Sequence, residues 1–290
     1  MTKKARLSDY LFLLPAFIIY TSVIMGSTAY TTYISFFKWN GIGPKKYVGL
    51  QNYVNLFTKD KIFRISLYNN LEWISLTLVI SMGIALGLAL IFNLNFKGRT
   101  FFRSYFYFPY TLSFILTAIV WRKMYDPSTG FINEFLRGVG LDDLTSTWTA
   151  DPDIALYCIF AAAAWQGIGQ PMILFLTGLQ TVNSEVIEAA KIDGANTIQT
   201  LFRVIFPLMK ETFIIVFAIL IIASMKVYDV VLGMTGGGPA NSTQTLGTYM
   251  RAHTFLYSHF GIGTAIAVVM LVLMLLIIVP YMVFMARTTD

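Results

Sequence analysis

The sequence predicts an all-α polytopic membrane protein with six transmembrane helices, and two observations lead to this prediction. The chain of 290 residues is 56% hydrophobic and only 12% charged, whereas soluble domains carry about 25% charged residues. Charged residues are also absent from five long stretches, and a helix needs roughly 20 apolar residues to cross a bilayer. The five stretches are residues 10–37, 73–96, 104–121, 154–184 and 260–286.

A sixth apolar segment, residues 213–234, is interrupted late by Lys226 and Asp229, which we interpret as a local ion pair at the membrane interface. We predict helices rather than β-strands because backbone groups in lipid must bond within the protein and no alternating pattern is present. The whole of 1–290 is predicted to be one transmembrane domain. Its spans are placed at about 10–37, 71–95, 103–124, 154–180, 207–232 and 260–286.

The N-terminal segment permits two interpretations, because Lys3, Lys4 and Arg6 precede an apolar run. A secretory signal has basic residues before an apolar core of about 7–15 residues. The uncharged stretch continues to Phe37, so we favour an uncleaved first span. Basic residues crowd a tight turn at 97–103, which weakly favours a cytoplasmic location for both termini.

The segment from 183 to 210 is more polar than the rest of the chain and has clear helix boundaries. Ser184 is predicted to cap a short helix and Gly194 to end it in the left-handed conformation. Asn196 followed by Gln199 marks the start of a second helix. Small residues share one face of the first helix and would let another backbone approach closely, although an ordinary amphipathic surface helix fits equally well.

This loop carries an ordered set of residues: Glu188, Ala189 and Ala190, then Gly194, then Val-Ile-Phe-Pro at 204–207. The set resembles the EAA loop of permease subunits in binding-protein-dependent ABC importers, with Val204 and Phe206 as mild departures. Asp193 and Ala195 flank Gly194 as in the sugar branch of that family. The glycine-rich segment 235–239 is similar to that of maltose-type (MalF-like) subunits, and 48–53 and 121–132 also resemble that branch.

The resemblance implies a carbohydrate-uptake permease in the bacterial cytoplasmic (inner) membrane, with both termini and the EAA coupling loop, about 183–206, in the cytoplasm. ATP and Mg would be bound by partner ATPase subunits and not by this chain. The implied partners are a second homologous permease that forms a heterodimer, two ATPase subunits and an extracytoplasmic sugar-binding protein, besides membrane lipid and the sugar. The implied ATPase-coupling residues are Glu188, Ala189, Ala190, Asp193 and Gly194.

Sugar-contacting positions are harder to assign. Counting without gaps from the EAA loop, the resemblance implies a substrate pathway at Gln166, Gly167, Gln170, Leu220, Ala223, Ser224 and Val227. Tyr228, Tyr110, Thr111 and Trp165 are further candidates, because sugars stack on aromatic rings and bond to neutral polar groups. Helix–helix hydrogen bonding remains an alternative role for the two glutamines and for Ser224.

Catalytic and nucleotide-binding motifs are absent from the sequence, so no enzyme, metal site or nucleic-acid partner is predicted. Gly-Lys does not occur, which excludes a phosphate-binding loop, and His253 and His259 lack metal-ligand spacing. A secondary transporter is an alternative, but it would need intramembrane acids and an internal repeat. Gly83 and Gly87 form a G-x-x-x-G step that predicts close helix packing.

Overall fold

The computed structural model describes residues 7–287, and these are largely helical. A small antiparallel sheet pairs β1 (Phe37–Lys38) with β2 (Lys46–Tyr47). The helices are α1 (Leu7–Tyr20), α2 (Gly26–Ile34), α3 (Gln51–Thr58), α4 (Lys61–Leu76), α5 (Met82–Asn93), α6 (Arg99–Tyr107), α7 (Phe114–Met124), α8 (Phe131–Gly138), α9 (Ala155–Gly167), α10 (Gly169–Thr181), α11 (Ser184–Ile192), α12 (Thr197–Thr200), α13 (Phe206–Leu208), α14 (Lys210–Met225), α15 (Asp229–Met234), α16 (Leu246–Arg251) and α17 (Phe260–Arg287).

Short segments of other helical geometry join or extend these helices. The π-helical turns are Thr21–Met25, Thr77–Ser81, Leu201–Ile205 and Ala252–Leu256, and the 3-10 turns are Phe108–Thr111, Asp142–Leu144 and Trp148–Ala150. The first two π-helical turns keep α1–α2 and α4–α5 continuous, so each pair forms one long helix.

The all-α, polytopic prediction is confirmed. Among the described residues, three continuous helices are long and apolar enough to cross a membrane: Phe12–Ile34, Lys61–Asn93 and Phe260–Met285. Three bent helix pairs meet the same criteria and bring the total to six if each pair is one span. On the first span Phe12 is 86% exposed, and lipid is the solvent in which such a surface is stable.

Three predicted spans differ from the straight helices that their charge-free stretches suggested. Arg99–Thr111 meets Phe114–Met124 at 99°, Ala155–Gly167 meets Gly169–Thr181 at 45°, and Thr197–Leu208 meets Lys210–Met225 at 74°. Each break has a local cause. Leu112 is extended (ψ 153°), Pro171 has no N–H for the carbonyl four residues earlier, and Met209 leaves helical geometry (φ −90°, ψ 7°).

Two helices have other bounds than the membrane spans predicted for them, and the span bounds themselves stay predictions. The basic residues Lys3, Lys4 and Arg6 lie outside the described residues. The helix of the second predicted span starts at Lys61, ten residues before the predicted start. A helix can carry charged residues in its first turns, whereas the prediction placed the start where charged residues become rare. The fifth span, predicted to reach residue 232, is interrupted after Met225, and α15 begins at Asp229.

The described residues fall into two compact units, one of residues 7–60 and 249–271 and the other of 61–248 and 272–287. In the first unit the side-chain amide of Asn52 donates to the carbonyls of Ser35 (2.7 Å) and Phe37 (3.0 Å), which fixes α3 against the end of α2. The assignment of one transmembrane domain to the whole chain stays a prediction.

The second unit has a core in which α5 packs against α10. Ala85 and Ala89 are fully buried there, facing Met172 and Phe175. Gly83 and Gly87 do not form the predicted close contact, since a Cβ at either position meets no atom within 4 Å. The small residues that let α5 approach its neighbour are therefore the alanines, which lie on the buried face.

A close contact between α10 and α14 gives the first prediction. A Cβ on Gly178 would lie 2.8 Å from Thr212 Cγ2, so Gly178→Val should force the two helices apart. We expect Gly178→Val to reduce the free energy of unfolding by about 1–3 kcal/mol, the usual cost of overpacking. The measurement is the thermal unfolding midpoint of the purified chain in detergent. Gly83→Val, an exposed helical glycine with open space around it, is the matched control, and equal midpoints for the two variants would contradict the prediction.

Candidate functional site

A cavity of about 310 Å³ lies within the second unit, among the membrane-spanning helices. Two of the bent helix pairs, α6–α7 and α9–α10, contribute residues to its wall, and so does the interruption between α14 and α15. Interrupted helices at membrane depth expose backbone polar groups, which is tolerated where the backbone lines a cavity or is buried in protein. The cavity therefore lies at the breaks that the sequence did not predict.

Six of the seven implied pathway residues line this cavity: Gly167, Gln170, Leu220, Ala223, Ser224 and Val227. Among the four further candidates, Tyr228 and Tyr110 line it and Thr111 and Trp165 do not. The structure thus brings together residues from two distant parts of the sequence. Their contact with a substrate stays a prediction.

Gln166 is the exception. Its side chain is 1% exposed, and its Nε2 donates to the carbonyl of Leu112 at 2.7 Å. Leu112 lies at the break between the 3-10 turn and α7, and its extended backbone is not part of a regular helix. Gln166 therefore occupies the helix–helix role that was the alternative for it.

Aromatic and hydroxyl side chains that sequence reasoning missed complete the wall. Trp73, Thr77 and Ser81 come from α4 and the π-helical turn after it, and Phe114 and Phe160 add two further rings. Trp73 and Phe160 pack edge to face, with ring centroids 5.3 Å apart. A spacing of four residues places Trp73, Thr77 and Ser81 on one helix face, and this polar stripe in an apolar helix was the signal that could have identified them.

The prediction that Lys226 and Asp229 form an ion pair is wrong: within the described residues no ion pair joins them, and both side chains are exposed and line the cavity. Lys226 caps the carboxyl end of α14, and Asp229 starts α15. Each charge thus lies at the helix end whose partial charge is opposite to its own, which gives both side chains a stabilising environment without a direct pair.

The 183–210 loop has the predicted helix–turn–helix form, with one change at its start. Asn183, not Ser184, caps α11, because its side chain accepts the N–H of Glu185 at 3.0 Å. Gly194 has the predicted positive φ of 83°, and Asn196 with Gln199 forms a complete capping box before α12.

The surface of α11 is open: none of its residues is buried. Glu188, Ala189, Asp193 and Gly194 are exposed, and Ala190 is half-buried. Ile192 beside them is 86% exposed, which leaves an apolar side chain with little protein around it. The five predicted coupling residues are therefore accessible to a partner, although their role in coupling stays a prediction.

The two histidines belong to the first unit, with ring centroids 5.6 Å apart. Tyr249 donates to Asp60 at 2.7 Å and packs against His253. Burial raises the pKa of Tyr249 and lowers the pKa of His253. Within residues 7–287 no group of three or more His, Cys, Asp or Glu side chains could hold a metal ion.

An acidic side chain stabilises the turn after α7. Asp126 Oδ1 accepts the backbone N–H groups of Thr129 (2.9 Å) and Ser128 (3.0 Å) as well as their hydroxyls. These hydrogen bonds hold the pKa of the Asp126 carboxyl well below its usual range. The Asp126 side chain therefore stabilises the conformation of this turn.

Comparison with known proteins identifies a family. Residues 79–289 match the family described as binding-protein-dependent transport system inner membrane component. A probable ABC transporter permease of Pyrococcus horikoshii is 38% identical over 273 residues, covering 94% of this chain and 93% of that protein. The multiple sugar-binding transport system permease MsmF of Streptococcus mutans is 31% identical over 252 residues, covering 83% of this chain and 82% of that protein.

A solved structure has the same fold. A chain of a bacterial ABC transporter involved in the import of the acidic polysaccharide alginate superposes with a TM-score of 0.82 at 22% identity, covering 97% of this chain and 96% of that one.

The different positions of the two glutamines give the second prediction. Gln166→Leu removes the side-chain donor to the half-buried Leu112 carbonyl, and a hydrogen bond of this kind contributes about 0.5–1.5 kcal/mol. We expect this variant to unfold at a lower temperature in detergent. Gln170→Leu, the matched control at the cavity wall, should unfold as the native protein does. A native unfolding midpoint for Gln166→Leu would show that the hydrogen bond contributes nothing.

Proposed function

The chain belongs to the family of inner membrane components of binding-protein-dependent transport systems, and on this premise we propose that it forms the carbohydrate pathway of an ATP-driven importer. It is a membrane-embedded transport subunit and not an enzyme. The sugar assignment is supported by relatives such as the Streptococcus mutans permease, whose name specifies a multiple sugar-binding transport system.

The observation that carries the proposal is the composition of the cavity. Its wall combines aromatic rings, such as Trp73 and Tyr228, with neutral hydrogen-bonding groups, such as Gln170 and Ser224. Ligand sites are mostly apolar and have a few placed polar groups, and a sugar ring presents an apolar face for stacking and hydroxyls for hydrogen bonding. Gln170, Ser224 and Tyr228 are the residues that we propose to contact it.

Coupling to ATP hydrolysis would use the opposite end of α14. We propose that α11 docks on a cytoplasmic ATPase subunit, with Glu188 and the adjacent alanines in contact and Gly194 forming the turn. Its open surface supports this role, since no residue of α11 is buried within the chain and its whole face is available to a partner. Closure of the ATPase on ATP and Mg would then drive alternating access.

The remaining assembly follows from one docking helix per chain. We propose a heterodimer with a second homologous permease, two ATPase subunits and an extracytoplasmic sugar-binding protein, in a bacterial cytoplasmic membrane with both termini in the cytoplasm. Neither a cofactor nor a nucleic acid is expected to bind this chain.

Copurification tests the function. The tagged chain is purified from membranes that also express the neighbouring transport genes, and ATPase activity is measured with each candidate binding protein loaded from a panel of arabinose, xylose, sucrose and maltotriose. We expect an ATPase to copurify and one loaded binding protein to stimulate it. A chain that purifies alone and moves solute into liposomes without ATP would refute the proposal.

Gly194 gives a sharper test of coupling. A β-branched residue strains a backbone at φ 83° although open space surrounds it, so Gly194→Val should distort the turn after α11 without disturbing packing. Strain of this kind costs about 1–3 kcal/mol, so we expect sugar-stimulated ATPase activity to fall at least about fivefold at unchanged membrane content.

Gly140→Val is the matched control, because Gly140 has a similar φ of 78° and equally open surroundings but lies in the α8–α9 connection. It should retain stimulated ATPase activity. Native activity in Gly194→Val, or an equal loss in both variants, would contradict the role of α11.

A further inference from the structure

Two adjacent asparagines on α4 are buried beside the cavity, although the predicted second span began after them. Asn69 is 5% exposed and Asn70 is fully buried. Trp73, one turn further along α4, lines the cavity. Buried amides in an apolar helix are costly unless they are hydrogen-bonded, so their partners indicate what they do.

Asn70 joins two other segments. Its Nδ2 donates to the carbonyl of Ser224 at 3.1 Å, and its Oδ1 accepts the N–H of Leu246 at 2.6 Å. Ser224 is in the last turn of α14, immediately before the break at 226–228, and Leu246 starts α16. One side chain therefore fixes the end of a cavity helix to the start of α16.

The far side of the same break is held by α16 and the residue before it. Thr245 Oγ1 donates to the carbonyl of Val227 at 3.0 Å, and Thr245 is fully buried. Gly247 packs so closely that a Cβ there would lie 2.8 Å from the Val227 carbonyl oxygen. The break that carries Val227 and Tyr228 into the cavity wall is thus bonded on both sides.

Asn69 extends the connection to the glycine-rich segment 235–239. Its Nδ2 donates to the carbonyls of Ser242 (2.7 Å) and Gln244 (2.8 Å), which follow that segment. The segment is closed on itself, because the hydroxyl of Thr243 donates to the Gly238 carbonyl at 2.6 Å. The glycine-rich loop and the helix break are therefore attached to consecutive residues of one rigid helix.

We propose that Asn70, supported by Asn69 and Thr245, is a positioning residue for sugar recognition: it holds the 226–228 break in the cavity wall and links its position to the seating of the glycine-rich loop. Asn70 does not itself line the cavity. It acts through the backbone of Ser224, which does line it. This inference rests on the proposed sugar pathway, and its test separates the two.

The position of the break is measured without any sugar. Asp229→Cys introduces an exposed thiol at the cavity wall, and the single native cysteine, Cys158, is buried and gives a low background. The probe is a membrane-impermeant, negatively charged methanethiosulfonate reagent, applied to the assembled complex in membranes. We expect Asn70→Ala to change the labelling rate at least about fivefold, as loss of a buried hydrogen bond predicts.

Two further variants protect the test against simple misfolding. Thr245→Val keeps side-chain volume but removes the bond to Val227, and Gly247→Ala pushes on the same carbonyl. Both should change the labelling rate in complexes that elute normally in size exclusion. Ser66→Ala is the matched control, because Ser66 is fully buried on α4 but bonds only to Ile62 of its own helix. We call the contacts of Asn70, Thr245 and Gly247 with Ser224 and Val227 the clamp contacts, and Asn70→Ala, Thr245→Val and Gly247→Ala the clamp variants. Unchanged labelling in all three clamp variants would overturn the proposal.

Transport is measured in parallel in chains that retain Asp229, with the sugar that the wild-type complex accepts from the panel above. We expect Asn70→Ala and Thr245→Val to raise KM about fivefold while basal ATPase activity stays native. Changed labelling with an unchanged KM would also overturn the proposal, because the break would move without affecting recognition.

If the wild-type complex accepts none of these sugars while the labelling rates change as expected, the proposed sugar pathway fails and the clamp contacts stand.

Discussion

Every feature of the cavity depends on the requirement that a backbone N–H or C=O surrounded by lipid must find its hydrogen-bond partner within the protein. A continuous helix meets this requirement by itself, whereas a broken one does not. Here the carbonyls at the breaks are satisfied by neutral side chains from other helices, namely Gln166 for Leu112 and Asn70 for Ser224. Neutral amides suit this task because they supply a donor without placing a charge in lipid. The cavity can exist only where such side chains are present.

Helix α14 connects the two functional regions of the chain. At one end it follows the 74° bend after α13, which leads back to α11, and at the other end it reaches Ser224 and the break. A helix of 16 residues is about 24 Å long. The close contact of Gly178 with Thr212 fixes α14 to α10. A force applied at α11 is therefore expected to reach the cavity wall through packed backbone rather than through a flexible loop.

Charge-free stretches predicted the all-α, polytopic class, because lipid excludes charge from any helix that crosses it. They could not predict the bends, since a bend changes hydrogen bonding but not composition. The helix–turn–helix form of residues 183–210 was predicted almost completely, because Gly194 and Asn196 act locally and their effect can be read from neighbouring residues. Gln166 was expected at the cavity wall but does not line it, and Gly83 was expected at a close helix contact but makes none. Both expectations depend on which face of a helix meets another helix, and the sequence does not show this. Asn70 was missed for the same reason, since its partners are more than 150 residues away in the sequence.

The contacts that hold the helix breaks share one feature. Asn70, Thr245 and Gln166 all bond to backbone atoms, so the side chains at the positions they hold can change without loss of a hydrogen bond. Val227 is held through its carbonyl, and its side chain is free to be replaced at the cavity wall. The break is therefore held independently of the side chain that position 227 presents to the cavity.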